Sequence, residues 1–559
     1  MAQPGPAAHA GTVACIDIGK THKRVAVFDA GLRLIDEVVE SIPEIEGPAG
    51  IRVEDIEAIE EFTDGALAEL ARRHRIHALG VSTHAGTWVG LNRDGRRSLP
   101  VVAYTNDLAE AESNALVTEL GGEAALYLTT ATPRLPAFVN MGLGVAFAAR
   151  HFSRDFAQTA RILNFPQYLG HRLTGASAIE RTYLGCHTYL WNFAADTYSD
   201  FARVVGYAER APGTPLPTRS LIRPLAPQTA QRLGLSGDVV VHLGVHDSNA
   251  ALAAAMAQGT AVRPIGADSA ARAQSGNRGA TDLYTGGRVS AGQARETALL
   301  STGTWCVAMA PGDGHLTAAD LDRGILLNMD VDGQPVRTSI YRAGGLYAEL
   351  RSAVIRRSES LGGNDPDGGT GCIGRSSATG GAGRRGGASR MAATDGAHGP
   401  DAPAEDAATA AREDLIEARL QETGYPRVIL PATSSLEAVR VELSADRTLS
   451  FADALEATAS EPAYRDLWLA ALGRAFAQAA WAQLTDIGIA GRRRLVIEGG
   501  FRRNRSYLRA LSRLADGTEV VAAPDEQGSA RGGALLAMGP GRPTELPRQL
   551  PRRRTPRYP

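Results

Sequence analysis

Two segments of this chain share one design, in which a glycine-containing polar turn separates two apolar, strand-like runs. The first is IDIGKTHKRVAVFD, around Gly19, and the second is LLSTGTWCVAM, around Gly303. A turn glycine lets backbone N–H groups approach an oxyanion. Two matched turns can hold the phosphates of a nucleotide from both sides of a cleft, which a single structural hairpin would not need to do. The alternative is two unrelated glycine turns.

The length of the chain, 559 residues, is too great for one compact domain. Alternating strand and helix patterns predict an α/β domain over residues 11–243 and a second over 244–540. Residues 262–297 and 357–412, rich in glycine and poor in periodicity, are predicted to be disordered insertions. A lid or a partner-binding loop is the alternative for both insertions. Residues 541–559 are predicted to form a flexible tail.

Charge and cysteine content argue against several kinds of partner. With 59 Lys and Arg against 61 Asp and Glu, the net charge of -2 gives no field that would gather nucleic acid or coat an anionic membrane. The four cysteines form no CxxC pair and no cluster at zinc spacing, which indicates a reducing compartment. No apolar run reaches the ~18 residues that span a bilayer. We therefore expect a cytoplasmic protein that acts on a small molecule.

Asp17 ends the first apolar strand, directly before the first turn. Gly19, Lys20 and Thr21 are similar to the end of a P-loop, but position 14 is alanine and a second strand, not a helix, follows. We therefore reject a P-loop. A carboxylate beside a glycine turn can instead hold Mg²⁺ directly or through water. A structural hairpin with one surface aspartate is an equally good interpretation of this segment alone.

The segment GVHDSN, with Asp247 at its centre, marks a change from strand to helix. During phosphoryl transfer a carboxylate in such a place can accept or orient the proton of the attacking hydroxyl. Asp247 or Ser248 could instead simply cap the helix that follows.

A last motif, IEGGFRRN, contains Gly499 and Gly500 followed by Asn504, where a strand gives way to a helix. Two small residues allow a flat base to lie against the backbone. A helix-entry turn needs no ligand, so this motif alone is ambiguous.

Together and in this order, the four segments resemble the FGGY family of carbohydrate kinases, within the actin, Hsp70 and hexokinase superfamily. The resemblance covers nearly the whole chain apart from the two insertions and the tail. It implies an α/β fold of two ribonuclease-H-like (actin-like ATPase) domains, with an interdomain cleft that closes over ATP and a sugar. The implied reaction is ATP-dependent phosphorylation of a sugar hydroxyl, which gives a sugar phosphate and ADP.

The resemblance also implies roles for single residues. It makes Asp247 the general base and Asp17 the residue that supports Mg²⁺ and the ATP phosphates. The other implied nucleotide-binding residues are Gly19, Lys20, Thr21, Lys23, Thr302, Gly303, Thr304, Gly499, Gly500 and Asn504. The implied sugar-binding residues are His84, Trp88, Asn106, Asp107, His246 and Asp247. For two of these an alternative stays open, because His84 could be a structural histidine and Trp88 a core residue.

The chain departs from several members of the family. THAGTW lacks the Arg-Glu pair of glycerol kinases and the Gln-Met-His-Gly run of xylulokinases. HDSNAAL and STGTW are more similar to rhamnulose and fuculose kinases, so we expect a ketose substrate. Lys20 stands where the commoner pattern has Thr, and we expect it to touch a phosphate or point to solvent. An ATPase or sensor of the same fold without sugar-kinase turnover is the alternative function, and a homodimer is a further expectation.

Overall fold

The computed structural model describes most of the chain outside the glycine-rich segments. The described residues are 11–106, 110–119, 121–258, 296–303, 305–312, 314–341, 343–361, 415–416, 418, 420, 426–430, 438–460 and 463–539. Asp107, Thr304, the tail and nearly all of both predicted insertions lie outside them. Two predicted insertion boundaries are wrong, because a helix continues to Ser360 and a strand already begins at Thr297.

The part of the chain over residues 11–258, referred to below as the first domain, contains thirteen strands and ten α-helices within the described residues. The strands are β1 (Thr12–Ile18), β2 (His22–Phe28), β3 (Leu34–Ser41), β4 (Ile45–Glu46), β5 (Arg52–Val53), β6 (Ile76–Thr83), β7 (Trp88–Leu91), β8 (Arg161–Asn164), β9 (Trp191–Asn192), β10 (Thr197–Tyr198), β11 (Leu221–Pro224), β12 (Val240–His242) and β13 (Val245–His246). The helices are α1 (Ile56–Ala71), α2 (Glu110–Glu119), α3 (Glu123–Thr130), α4 (Met141–His151), α5 (Ser153–Gln158), α6 (Phe165–Thr174), α7 (Arg181–Leu184), α8 (Asp200–Val204), α9 (Pro227–Leu233) and α10 (Asp247–Ala257).

The main sheet of this domain has the order β11-β12-β6-β1-β2-β3, and β13 also pairs with β6. The predicted meander is confirmed, since β1, β2 and β3 pair antiparallel. β6 lies parallel to β1, β12 and β13, so these strands have their carboxyl ends at one edge of the sheet. Apolar residues of β1, β2 and β6 pack against α1 and form a continuous core.

The second domain repeats this plan after residue 295. Its strands are β14 (Thr297–Thr302), β15 (Cys306–Pro311), β16 (Ile325–Met329), β17 (Pro335–Tyr341), β18 (Arg427–Ile429), β19 (Arg440–Ser444), β20 (Arg447–Ser450), β21 (Arg494–Gly499) and β22 (Glu519–Ala522). Its helices are α11 (Ala318–Asp322), α12 (Gly344–Ser360), α13 (Phe451–Ala457), α14 (Tyr464–Asp486), α15 (Arg505–Leu514) and α16 (Gly528–Met538). The main sheet has the order β16-β17-β15-β14-β21-β22, in which β14, β21 and β22 are parallel.

Helices α10 and α16 cross closely because glycine and alanine occupy the crossing. A Cβ on Gly532 would overlap the backbone of Ala250, and one on Gly533 would lie 2.5 Å from the Cys15 sulfur. A Cβ on Gly80 of β6 would lie 2.4 Å from the Gly533 carbonyl oxygen. The missing side chains therefore let α16, from the end of the chain, pack directly on β1 and β6 of the first domain. None of the described helices is long and apolar enough to cross a membrane.

Candidate active site

Asp17 and Asp247 meet at the carboxyl edge of the first sheet. Asp17 is the register partner of Ser82 on β6, and Ser82 is in turn the partner of Val245 on β13. Asp247 follows β13 directly and begins helix α10. Burial raises the pKa of Asp17, and the nearby Asp247 carboxylate adds to the increase. Parallel pairing of three strands thus brings together two acids that lie far apart in the sequence.

The Asp247 carboxylate is held by its neighbours on one oxygen. Its Oδ1 lies 3.1 Å from His246 Nε2 and accepts from the Ser248 backbone N–H at 2.6 Å. None of these contacts uses Oδ2, and the side chain is 30% exposed. Burial alone would raise the pKa of Asp247, but the adjacent His246 lowers it below its usual value. The side chain is therefore an oriented carboxylate that is ionised at neutral pH.

His246 has partners on both ring nitrogens. Nδ1 lies 2.6 Å from the Asn249 side-chain oxygen, opposite the contact of Nε2 with Asp247. Burial would lower the pKa of His246, but the Asp247 carboxylate raises it. The ring is 4% exposed. His246, predicted to bind sugar, thus lies behind the Asp247 carboxylate and can orient it.

Asp17 lies at the junction of the two domains. Its Oδ2 accepts from the Ser529 hydroxyl of α16 at 2.8 Å and lies 3.9 Å from Arg24. Its Oδ1 is buried, and the described residues offer it no hydrogen bond. Burial raises the pKa of Asp17, while Arg24 and Ser529 oppose the increase. An oxygen of this kind fits a hard cation or a water bound to one.

Glu498, which sequence reasoning missed, lies on β21, the strand that pairs with β14 in the second domain as β6 pairs with β1 in the first. It directly precedes Gly499, the last residue of β21, is buried, and accepts from the backbone N–H of Gly528 at the start of α16. Burial raises its pKa to about 7, and the nearby Asp17 adds to the increase. Helix α16 thus contacts both carboxylates with consecutive residues, Gly528 and Ser529. The small residues in its sequence, GSARGGALLAMG, could have indicated this contact, because helices rich in small residues pack closely against their neighbours.

The first turn connects β1 to β2 as predicted. The Gly19 backbone N–H donates to the His22 carbonyl at 3.0 Å, and Thr21 is exposed. Lys23 is fully buried beneath the turn, where its ammonium donates to the Lys20 carbonyl at 2.8 Å. Burial lowers the pKa of Lys23. Lys23 therefore stabilises the turn through this hydrogen bond to its backbone.

Lys20, which we expected to touch a phosphate or point to solvent, lies beside two acidic side chains of the first domain. The Lys20 ammonium forms ion pairs with Glu54, at 2.6 Å, and with Glu44. It also lies 4.8 Å from the ring centroid of Tyr104. Glu54 in turn lies 3.6 Å from His84 Nε2. Burial would raise the pKa of Glu54, but His84 and Lys20 hold it well below its usual range.

The second turn is held chiefly by its own sheet. The Thr302 hydroxyl donates to the Glu498 carbonyl and accepts from the Phe501 N–H at 3.1 Å. Gly303 lies exposed at the tip, and its N–H donates to the Trp305 carbonyl at 3.0 Å. Gly499, at φ +79°, could not carry a Cβ without overlapping the Thr302 carbonyl. The motifs around 302 and 499 are therefore neighbours, as a shared phosphate and adenine site requires.

The predicted adenine motif forms a helix entry. Gly500 is exposed at the start of a single 3₁₀ turn, and Asn504 caps α15 by accepting from the Tyr507 N–H at 3.0 Å. The Asn504 amide also donates to the Tyr347 hydroxyl of α12 at 2.7 Å. Asn504 therefore acts as a helix cap that fixes the wall formed by α12 and α15.

The predicted sugar side has more internal partners than the sequence indicated. His84 contacts the Ile18 carbonyl and the Thr87 hydroxyl at 3.0 Å each, so both ring nitrogens are engaged. Trp88 is 3% exposed and belongs to the core, the alternative that the sequence left open. Asn106 is buried and exchanges hydrogen bonds with the Arg52 backbone. The contacts of His84 and Asn106 share one cause: polar residues on buried strands and turns must satisfy their hydrogen bonds inside the protein.

Comparisons with known proteins agree with this arrangement. The sequence profile of the N-terminal domain of the FGGY family of carbohydrate kinases matches residues 12–254, and that of the FGGY C-terminal domain matches residues 294–361. A search of curated protein sequences finds no significant match.

Solved structures show the same two-domain architecture. A carbohydrate kinase from Novosphingobium aromaticivorans is 24% identical with a TM-score of 0.65, and the match covers 95% of this chain and 92% of that one. A xylulose kinase from Rhodospirillum rubrum is 17% identical with a TM-score of 0.63 over 94% and 89% of the two chains. A gluconate kinase from Lactobacillus acidophilus is 12% identical with a TM-score of 0.65 over 94% and 88%.

The fold and the site define a two-domain ATPase of the actin-like type, which confirms the predicted fold class. The matched segments together make up more than half of the chain, which belongs to the FGGY family of carbohydrate kinases. Its activity is ATP-dependent phosphorylation of a sugar, as predicted.

Proposed function

We propose that the chain transfers the terminal phosphoryl group of ATP to a hydroxyl of a ketose, with Asp247 as the general base. The observation that carries the proposal is the state of the Asp247 carboxylate. Contacts with His246 and Ser248 fix Oδ1, which leaves Oδ2 to accept the proton of a sugar hydroxyl. The position at the first turn of α10 also favours negative charge, because the helix dipole is positive there.

On the nucleotide side, we propose that both turns face the phosphates. Thr21 of the first turn and Thr304 of the second would donate backbone N–H groups to them. Gly19 and Gly303 would shape the turns, because their own N–H groups already donate to the carbonyls of His22 and Trp305. The adenine would lie against Gly499 and Gly500, beside the wall that Asn504 fixes. Thr302 and Lys23 would act indirectly, since their polar atoms already hold the turns in place.

We propose Asp17 as the protein's ligand for Mg²⁺, either directly or through water. The fit rests on its buried and unpartnered Oδ1. No group of three or more acidic, histidine or cysteine side chains suited to a metal occurs in the described ranges. This agrees with Mg²⁺ that is bound by one or two carboxylates together with substrate phosphates. The ion would supply charge neutralisation at the phosphates, while Ser529 and Arg24 orient the carboxylate.

For the sugar, we propose a ketose of the rhamnulose and fuculose type. The support is the similarity of HDSNAAL and STGTW to those kinases, together with a polar wall formed by Lys20, Glu44 and Glu54 beside the half-buried Tyr104 ring. Charged groups and one aromatic face suit a substrate with hydroxyl edges and C–H faces. A role for Asp107 in this wall, the division into domains at residue 243, a homodimer and a cytoplasmic location stay predictions.

The role of Asp247 is tested by Asp247→Asn. Removing the base should lower kcat by about 10²–10⁴-fold, while binding of an ATP analogue persists. The matched control is Asp200→Asn, which changes a fully exposed aspartate at the start of α8. Turnover of Asp247→Asn at the wild-type rate would show that the base lies elsewhere.

The substrate class is tested by measuring ADP release with a panel of sugars. Rhamnulose, fuculose, xylulose and ribulose would represent ketoses, and glycerol, gluconate and several aldoses the alternatives. We expect the highest kcat/KM with a ketose. A clear preference for a polyol or an aldonate would contradict the ketose assignment but not the role of Asp247.

A further inference from the structure

An asparagine in the first turn of helix α10 connects the Asp247 carboxylate to the second domain. Asn249 is fully buried, and its side-chain oxygen lies 2.6 Å from Nδ1 of His246. The side-chain nitrogen of Asn249 donates to the backbone carbonyl of Met329 on strand β16. Since His246 Nε2 contacts Asp247 at 3.1 Å, one chain of polar contacts leads from this carboxylate to a carbonyl of the second domain.

The Met329 carbonyl fixes the direction in which the Asn249 amide faces. A carbonyl oxygen can only accept a hydrogen bond, so the atom of Asn249 beside it must be the nitrogen. The Asn249 oxygen then faces His246, and because this oxygen also only accepts, Nδ1 of His246 must carry a proton. A contact with the second domain thus determines the protonation of one histidine nitrogen.

The other ring nitrogen of His246 also needs a proton. Asp247 Oδ1, which lies 3.1 Å from Nε2, accepts from the Ser248 backbone N–H at 2.6 Å and from the Ser248 hydroxyl at 3.2 Å. An unprotonated Nε2 would set its lone pair against those of Oδ1, so a proton lies between the two atoms. Hydrogen bonds from Ser248 favour the charged form of the carboxylate, which leaves this proton on His246. A buried imidazolium therefore lies beside an ionised Asp247.

Other titratable groups near this pair favour the same arrangement. Burial keeps four of them neutral, because it raises the pKa of a phenol or a thiol and lowers that of an imidazole: Tyr104, Tyr183, Cys186 and His187. Glu180 raises the pKa of His246, and His84 lowers that of Asp247. Asp17 is a second carboxylate near Asp247. Glu180 and His84 thus both favour a proton on His246 over one on Asp247.

We propose that Asn249 is a positioning residue that keeps Asp247 ionised and oriented by holding the shared proton on His246. The Met329 carbonyl makes this arrangement depend on the packing of strand β16 against the first domain. Oδ2 of Asp247 is then left to accept the proton of the sugar hydroxyl. This inference rests on the proposed function, in which Asp247 is the base.

The location of the proton is tested by ¹⁵N NMR of histidine-labelled protein, in which the His246 signals are assigned by their loss in His246→Gln. At pH 6.5, the ordinary pKa of histidine, both ring nitrogens of His246 should carry a proton in the wild type. Asn249→Leu has a similar volume but no acceptor, so Nδ1 should lose its proton. Asn249→Asp keeps an acceptor oxygen and should keep both protons. A neutral His246 in the wild type would overturn the proposal.

The consequence for catalysis is tested by measuring kcat at saturating sugar and ATP between about pH 5.5 and pH 8. Asn249→Leu should lower kcat by about tenfold at the upper limit and by a clearly larger factor at the lower one, because the shared proton then moves to Asp247. Asn249→Asp should follow the wild-type pH profile. The same loss factor at every pH in Asn249→Leu would mean that Asn249 has only a structural role, against the proposal.

The matched control is Asn164→Leu, which changes another fully buried asparagine of the first domain. Asn164 accepts a hydrogen bond from the Tyr207 hydroxyl at 2.7 Å, and its replacement should leave the shape of the pH profile unchanged. If Asn249→Leu does not fold, the wild-type NMR measurement still decides where the proton lies. If Asp247→Asn turns over at the wild-type rate, the assignment of the base fails, while the same NMR measurement continues to test the proton on His246.

Discussion

The two halves of the molecule build the same sheet and then secure its critical turn in different ways. In each half a hairpin, β1–β2 or β14–β15, adds two parallel strands on one side and an antiparallel strand on the other. The first turn is fixed by charge, through Lys20 and the buried Lys23. The second is fixed by the Thr302 hydroxyl and by Trp305. The repeated fold thus places one turn in each half of the molecule. The side chains around each turn determine which hydrogen bonds and ion pairs stabilise it.

The largest effect is expected where the second turn meets β21. Gly499→Ala places a side chain at φ +79° and ψ -155°, which only glycine adopts readily, and overlaps the Thr302 carbonyl. We expect a loss of about 4 kcal/mol in the free energy of unfolding, measured by urea denaturation.

The controls for Gly499→Ala are alanine at Gly500, where the nearest atom would lie 3.7 Å from the new Cβ, and at Gly19 in the first turn, where it would lie 3.1 Å away. Each control should cost about 1 kcal/mol or less. If the alanine variants at Gly19 and Gly499 lose the same unfolding free energy, the two turns do not differ in their requirement for glycine.

A second prediction concerns Glu498, the carboxylate near the end of β21. The pKa of Glu498 is raised from 4.5 to about 7, so the native state keeps a proton that the unfolded chain has released. The proton bound to Glu498 stabilises the native state. This stabilisation is complete below pH 4.5 and is lost as the pH rises through 7. Glu498→Gln should remove about 3 kcal/mol of the decline in unfolding free energy between pH 4.5 and 8.

The measurement for Glu498→Gln is urea denaturation at several pH values in this range. The control is Glu209→Gln, which changes an exposed glutamate of the first domain and should leave the wild-type decline intact. A pH profile of Glu498→Gln that follows that of the wild type would mean that another group causes the decline.

The smallest effect is expected for the charge that secures the first turn. Lys20→Met keeps the volume of the side chain but removes the ammonium that lies 2.6 Å from the buried Glu54 carboxylate. His84, at 3.6 Å, and Lys23 remain near that carboxylate. We expect a loss of about 2 kcal/mol in unfolding free energy. The exposed pair of Arg33 and Asp29 gives the matched control, since Arg33→Met should cost at most about 0.5 kcal/mol. If the two substitutions cost the same, the Lys20 ion pairs do not hold the turn.

Much of the fold was predictable because it depends on local patterns. The meander at β1 to β3 and the strand-to-helix transition at Asp247 were both visible as apolar runs interrupted by glycine or by polar residues. The roles of buried polar residues were harder to predict. His84, Asn106 and Lys20 have the residue types of ligands, but their hydrogen bonds and ion pairs are made within the protein. Exposure and partner choice depend on contacts that a linear pattern does not contain.

The sequence alone determined the order of the motifs and the two-domain α/β plan, because strand and turn propensities are properties of short segments. Only the tertiary structure decided that Glu498 and Ser529 lie near Asp17, and that Tyr127 and Ala131 of the first domain bond to strand β16 of the second. These residues come together through parallel strand pairing and a glycine-lined helix crossing. Such contacts link distant parts of the chain, and their geometry is fixed only when the whole core is packed.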